Sequence, residues 1–352
     1  MNKTKELIPG LLITIAIAVI SFITWWFLKC TWLKFSALLW SFVYSLIIVN
    51  VSPSFFDEKF KSGIEFASSR ILRWSIAALG LTVSAAVWRQ LGGVGIAMVL
   101  INLAVVFSLG LLICKYVLKM DDTLTILVAV GTAICGATAI AAVGPALRAK
   151  AEQMGLAVAA ITLFGLIAMF GYPILFNGVL AHWLGNSPLA YGMWAGTGIH
   201  ETAQVIAAAS QVDGALSIAT SAKFIRIFMI GPMVIISHFI YLRFSRTEGK
   251  GDIKFTIPWF ALFFILFSLV NYQLASMSFG KEWASFNTTY LSPTITFLLA
   301  WAFAGIGLKV NISTIRSLGL KAFLGGITVA IIAGVFSLLL VKYFWMPFAG
   351  HV

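Results

Sequence analysis

Charge is scarce in this chain. Only 10% of its 352 residues are charged, and 12 acids face 24 basic side chains. With 61% hydrophobic residues and a mean hydropathy of +1.00, there is too little polar sequence to clothe a soluble domain. Cysteine is nearly absent: Cys30, Cys114 and Cys135 form no CxxC pair and meet no histidine-rich cluster. That pattern excludes a disulfide framework and a zinc site. No Ser-His, Asp-Asp or HExxH arrangement is present; after His200-Glu201 the position that would complete HExxH is Gln204. An enzyme is therefore not expected, nor a cofactor or metal.

The apolar sequence falls into segments at about 8–28, 35–52, 74–90, 95–118, 155–178, 216–242, 255–275, 289–308 and 322–345. Several exceed the ~18 residues that mark a spanning helix, so the chain reads as an all-α polytopic membrane protein. Lys3 and Lys5 precede a long apolar run with no small-residue cleavage site behind it, which reads as an uncleaved first span. Linkers are short, and the longest, Pro53 to Arg73, reads as an interfacial helix. One transmembrane domain, 1–352, accounts for the chain: 1–73 as N-terminal spans and linker, 74–178 as a first repeat, 186–345 as a second. The net charge of +12 is scattered between apolar segments, so it marks cytoplasmic loops rather than a nucleic-acid surface. The partner in contact with most of the surface is the lipid bilayer, with Trp25, Trp26, Trp32, Trp183 and Trp345 read as its interfacial belt.

The repeat is visible in the residues. AALGLTVSAAVWRQLGG from Ala77 parallels FAGIGLKVNISTIRSLGL from Phe303, setting Gly80 on Gly307, Val83 on Val310, Arg89 on Arg316 and Gly92 on Gly319. GTAICGATAIAA from Gly131 parallels GTGIHETAQVIAA from Gly196. Basic residues cluster at 59–73, 115–119, 148–150, 243–254 and 309–321, while 179–190 and 271–290 are nearly bare. An inside N-terminus satisfies this bias with nine spans if the broken segments, 121–147 and 186–211, are re-entrant hairpins from opposite faces. The repeats are then inverted, and the two breaks meet near the midplane. Eleven spans with crossing discontinuous helices is the alternative, and it violates the bias only at 148–150.

The breaks carry the candidate site. A half-helix beginning after Gly131-Thr132, and another after Gly196-Thr197-Gly198, would aim free amides and a partial positive charge at an anion, assisted by the hydroxyls of Thr132, Thr138, Thr197 and Thr202. Close helix packing is the other use of such Gly and Thr residues. His200 and Glu201, ionisable in the membrane, are candidates for the coupling proton, or Glu201 with carbonyls for sodium; a satisfied histidine and a capping glutamate is the rival role. Lys223 and Arg226, at i and i+3, share a helix face roughly 10–15 Å inside their span. They suit either a divalent anion or pairing with Glu201 or backbone carbonyls. Asn102 and Asn271 read as inter-helix glue.

At these residues the chain resembles a known family. ICGATAIAAVGPALRAK, GTGIHETAQVIAA and SAKFIRIFMIGP are similar to signature segments of the YeiH-like bacterial membrane proteins, a family named for sulfate export. It is grouped with the cation:proton antiporter and anion transporter superfamily of inverted-repeat carriers. The resemblance runs from about Ala77 to the C-terminus. It implies a multi-pass carrier of the bacterial inner membrane moving sulfate or a related sulfur oxyanion by alternating access, with H+ or Na+ coupling. The site it implies comprises Gly131, Thr132, Cys135, Gly136, Thr138, Gly196, Thr197, Gly198, Thr202, Gln204, Lys223 and Arg226, with His200 and Glu201 for the coupling ion. Where many members carry a glutamate, Ile140-Ala141-Ala142-Val143-Gly144 holds no acid, so no coupling acid carries over onto the first segment. A cation/proton antiporter, with Lys223 and Arg226 only balancing charge, is the second expectation. Carriers on this plan are commonly dimers, though no residue here requires a homodimer.

Overall fold

Hydrocarbon offers a backbone amide no partner, so long apolar runs must close their hydrogen bonds locally, and helix does this. In the computed structural model of the chain the described residues are 3–28, 35–52, 58–83, 85–245, 259–310 and 319–349, and among them no strand occurs. Six helices there are long and apolar enough to cross a membrane, or seven if one bent pair counts as a span. The all-α polytopic expectation holds. Cys30, Trp32, Arg316, His351 and the 53–57 stretch lie outside the described residues.

In chain order, α1 (Lys3–Leu28), α2 (Ala37–Val51), α3 (Glu58–Glu65) and α4 (Leu72–Leu79) are followed by α5 (Ala85–Leu112) and α6 (Asp122–Ala133). Then come α7 (Ala137–Val143), α8 (Ala151–Leu175), the single turn α9 (Ala181–Trp183), α10 (Pro188–Gly198), α11 (Thr202–Ala209), α12 (Leu216–Phe228) and α13 (Ile230–Ser245). The chain closes with α14 (Trp259–Ser276), α15 (Gly280–Phe286), α16 (Ser292–Gly307), α17 (Leu320–Leu340) and α18 (Met346–Ala349). Contacts group these helices into two compact units, Met1–Ala85 with Trp259–Ser313 and Ala86–Pro258 with Thr314–Val352.

In the first unit, α1 crosses α3 with backbones touching: a Cβ on Gly63 would stand 2.6 Å from Cα of Gly10. Ile17, Val49, Ile64, Ala304 and Leu308 fill the core behind that crossing. Ser41 Oγ donates to the Ala300 carbonyl at 2.7 Å, tying α2 to α16. The described part of the linker read as an interfacial helix is one helical run, α3 through a π-helical turn (Phe66–Ile71) into α4, packed on α1 and α16. Its charges do not prevent this, because Glu65 pairs with Lys309 at 2.5 Å on the exposed side.

The second unit holds both breaks. Asp121 caps α6 and also accepts a hydrogen bond from Gln153 Nε2 (2.9 Å) in the first turn of α8. The α6–α7 segment therefore returns to the face it left. Lys115, Lys119, Arg148, Lys150, Arg243 and Lys321 gather at that end, where Lys115 pairs with Asp122 (2.8 Å) and Lys321 donates to the Lys119 carbonyl (2.9 Å). By the positive-inside rule this face is cytoplasmic. The α10–α11 segment also returns on itself: Tyr191 Oη donates to the Ala208 carbonyl (2.9 Å), and a Cβ on Gly214 would sit 3.7 Å from that of Pro188.

Between them α8 continues through a π-helical turn and α9 as 33 helical residues, Ala151–Trp183, roughly 50 Å of helix across a core of about 30 Å. The hairpins thus open at opposite faces. Helix α5 ends at the cytoplasmic face, whereas α17 begins there and leads to Lys342, which donates to the Trp183 carbonyl (2.5 Å) at the other. The paired helices run in opposite directions, as inverted repeats require.

One expected span is not straight. Segment 216–242 divides at Met229, with α12 and α13 bent by 44°. Pro232 has no N–H to offer the Phe228 carbonyl four residues back, which opens the helix there.

Candidate functional site

Helix α6 runs unbroken through Gly131 and Thr132 to Ala133, and opens only at Ile134 (φ −114°, ψ −86°) and Gly136 (φ 68°, ψ −126°). Helix α10 likewise runs through Gly196-Thr197-Gly198 and opens at Ile199–Glu201, extended in backbone. The breaks open at or close behind the Gly-Thr residues, but the second half-helices begin only at Ala137 and Thr202, a few residues past the expected starts. Thr197 is the local reason: its hydroxyl bonds back to the Met193 carbonyl (2.6 Å) and to Ser337 Oγ (2.5 Å), which a helical threonine can do without leaving the helix. Gly196 serves close approach, its Cα set against the backbone of Ala219 on α12. Gly131, Thr132, Gly196, Thr197 and Gly198 therefore sit at the carbonyl ends of the first half-helices, not at the amide ends of the second. This corrects the expectation that their hydroxyls and following amides open onto an anion.

The basic pair meets those carbonyl ends. Lys223 is wholly buried and its ammonium donates to the carbonyls of Ile134 (2.7 Å), Ile199 (3.0 Å) and His200. Three donors meet three acceptors, so Lys223 is saturated by backbone. Arg226, equally buried, donates from Nε to Ala133 (2.8 Å), from Nη2 to Thr132 (2.6 Å), and from Nη1 to Thr197 (2.6 Å), Ile199 (3.3 Å) and Gly196 (3.4 Å). A helix C-terminus carries about half a negative charge, and here two of them converge on two cations. Of the roles open to this pair, binding to backbone carbonyls is the one seen.

The amide ends of the second half-helices meet Glu201. It caps α11, accepting from the backbone of Gln204, whose side-chain Oε1 accepts from the Glu201 amide (3.2 Å). The same carboxylate lies on Gly136, which caps α7: a Cβ there would stand 2.6 Å from Glu201 Cγ and 3.1 Å from Oε1. Only glycine meets both the positive φ and that contact. The amide of Ala139 is directed at the Cys135 sulfur. Thr138 is exposed and Thr202 half-buried, so this side of the crossing is open. Gln204 itself is buried and donates to the Thr162 carbonyl (3.2 Å), tying α11 to α8.

A charge count follows. Two half-helix C-termini at about −0.5 each offset one of the two cations, two N-termini at about +0.5 each offset Glu201, and about one positive charge remains. Asp121, Asp122, Glu152 and Asp213 lie at helix ends away from the crossing.

Neighbouring groups also shape the site, some of them singled out by the sequence and some, like Tyr172 and Trp194, not. Asn102 Nδ2 donates to the Thr197 carbonyl (2.9 Å) while its Oδ1, like Thr132 Oγ1, has no partner. Tyr172 stacks on Trp194 (4.0 Å between centroids, 11°), and Trp194 Nε1 donates to the Gly334 carbonyl (2.9 Å). His200 is 1% exposed and neither ring nitrogen has a hydrogen-bond partner. Among the described residues no cluster of His, Cys, Asp or Glu could hold a metal.

Comparison with known proteins supplies the context. A family model described as conserved hypothetical protein 698 matches residues 9–326. The UPF0324 membrane protein PA5383 of Pseudomonas aeruginosa is 33% identical over 335 residues, covering 92% of this chain and 90% of that protein. The UPF0324 inner membrane protein YeiH of Salmonella typhi is 32% identical over 295 residues, 82% and 80% of the two chains. A further UPF0324 membrane protein, from Bordetella bronchiseptica, is 31% identical over 324 residues, 90% of this chain and 92% of its own. No solved structure matches.

Proposed function

The chain belongs to the UPF0324, YeiH-like family of multi-pass inner-membrane proteins, and on that premise we propose that it is a secondary carrier for a small anion, working by alternating access. The observation that carries this reading is the crossing itself. Two oppositely inserted hairpins break in the membrane interior at one place, and broken helix at that depth is found where it lines a substrate path. The surplus of about one positive charge behind the open Thr138–Glu201–Thr202 side favours a negatively charged substrate. Sulfate or a related sulfur oxyanion is the candidate, with H+ or Na+ as the coupled ion.

Glu201 gives the coupling a form. Its carboxylate lies on the N-terminal ends of both second half-helices, the place an incoming anion would seek. Protonation of Glu201 vacates that charge for the substrate, so proton and anion travel together. Lys223 and Arg226 hold the tips in register rather than touching the substrate. A cation/proton antiporter is the rival reading, favoured by the saturation of both cations with carbonyls.

Liposomes holding the purified protein and given labelled sulfate or sulfite under an imposed proton gradient test this. Flux above empty vesicles is expected, and Glu201→Gln, which keeps the capping acceptor, should leave flux indifferent to the gradient. Absence of flux for every oxyanion tried, with proton movement on Na+ or K+ pulses, would instead establish the antiporter.

A further inference from the structure

The two repeats match further than their residues alone show. Where α4 ends, the Val83 amide donates to the Gly80 carbonyl (3.1 Å); where α16 ends, the Val310 amide donates to Gly307 (3.1 Å). Each valine carbonyl is taken in turn by a side-chain amide from the neighbouring helix. Asn271 Nδ2 on α14 donates to Val83 (3.0 Å), and Asn50 Nδ2 on α2 donates to Val310 (2.9 Å). The glycines approach those same helices closely: a Cβ on Gly80 would strike the Phe264 carbonyl of α14, and one on Gly307 the Phe42 carbonyl of α2. The α4–α14 pair is thus built like the α16–α2 pair. Both exits of the chain from the first unit are pinned alike.

Nine residues beyond each valine stands the next matched glycine, and there the likeness stops. Gly92 interrupts α5 at φ 53°, ψ −175°, a region open to glycine and essentially closed to side chains. Gly319 precedes α17 at φ −66°, ψ 146°, which any residue adopts. A Cβ on either would meet nothing within 4 Å, so packing asks for neither glycine. Backbone conformation explains Gly92. Nothing in this conformation explains Gly319, which heads α17 without a side chain where serine or aspartate would cap more strongly.

Repeats related by an axis in the membrane plane exchange the two faces when they exchange conformations. A glycine idle in one state is then the glycine in use in the other. We propose that Gly92 and Gly319 are alternating joints: the positive-φ bend lies at Gly92 in the state described and passes to Gly319 in the state open to the opposite face, where Gly92 is extended. Asn271 and Asn50 hold the near ends fixed, so the turning is taken up at the glycines. The inference rests on the carrier reading, whichever ion is moved.

The test measures distances in full-length protein in nanodiscs. In a background without native cysteines, spin labels at Asn186→Cys in the second unit and Lys281→Cys in the first, both exposed positions, report pulsed dipolar distances. Two components are expected. Gly319→Ala fits the described backbone without strain and should deplete one component about tenfold, and Gly92→Ala should deplete the other about tenfold. The double variant should return the ratio toward that of the parent, which damage to the fold would not do. Gly93→Ala, beside the joint and with open space at its Cβ, should leave the ratio unchanged. Shifts of the two single variants in the same direction, or a ratio that either leaves unmoved, would overturn the joints even where oxyanion flux is found. Opposed shifts without flux would uphold the joints and remove the anion carrier.

Discussion

Lys223→Met separates a structural pin from a substrate ligand. The replacement keeps length and apolar bulk but removes the three N–H donors held by Ile134, Ile199 and His200. The Ile199 carbonyl retains Arg226 Nη1 at 3.3 Å, which leaves two carbonyls bare. Each unmet buried acceptor costs about 1–3 kcal/mol, so the loss is about 2–6 kcal/mol. Removing a buried ammonium also returns its desolvation cost, drawing the expectation to about 2–4 kcal/mol. For a folding unit of this size that is a fall in Tm of about 5–15 °C. The assay is built into the protein: Cys114 and Cys135 are free and buried, so a thiol-reactive dye reports melting in detergent. A Tm within about 2 °C of the parent would refute the reasoning, and a variant that melts normally yet loses oxyanion flux would make Lys223 a substrate ligand after all.

Further outcomes follow from the same geometry. Gly136→Ala meets a positive φ and the Glu201 side chain together, and should lower the melting point, whereas Gly155→Ala on α8, with open space at its Cβ, should not. Gly165→Ala drives a methyl into the Gln204 amide; it should destabilise strongly alone but add little to Gln204→Ala, a non-additivity that a double-mutant cycle reads directly. In a cysteine-free background, Asp121→Cys and Lys150→Cys should both be labelled by an impermeant maleimide from the cytoplasmic side, and Asn186→Cys and Asp213→Cys from the opposite side. Labelling of either pair from two sides would disprove its hairpin.

Much of this plan could be read from residues alone. Apolar runs with basic punctuation announce spans and their orientation, and the matched GTAICGATA and GTGIHETAQ announce two interruptions. Where each helix opens was less legible. Glycine and threonine suggest a break, but Thr197 finds its acceptor inside the helix and Gly196 its use in packing, so opening waits for Ile134 and Ile199. Which helix end the basic pair would meet depended on the length of each interruption, and of the roles the sequence left open for Lys223 and Arg226 the structure shows pairing with carbonyls. The bend at Met229 was written in Pro232 yet hidden within a continuous apolar run. Tyr172 and Ser337 carried no local signal; only the approach of α8 and α17 gives them partners.

Each cation reaches both hairpins at once, Lys223 touching Ile134 on one and Ile199 on the other. A clamp of that kind forbids a gate made by parting the tips, since opening it would strand two formal charges and several carbonyls in oil. If the chain is the carrier proposed above, its centre would move as one unopened body, exposed by a change in what surrounds it.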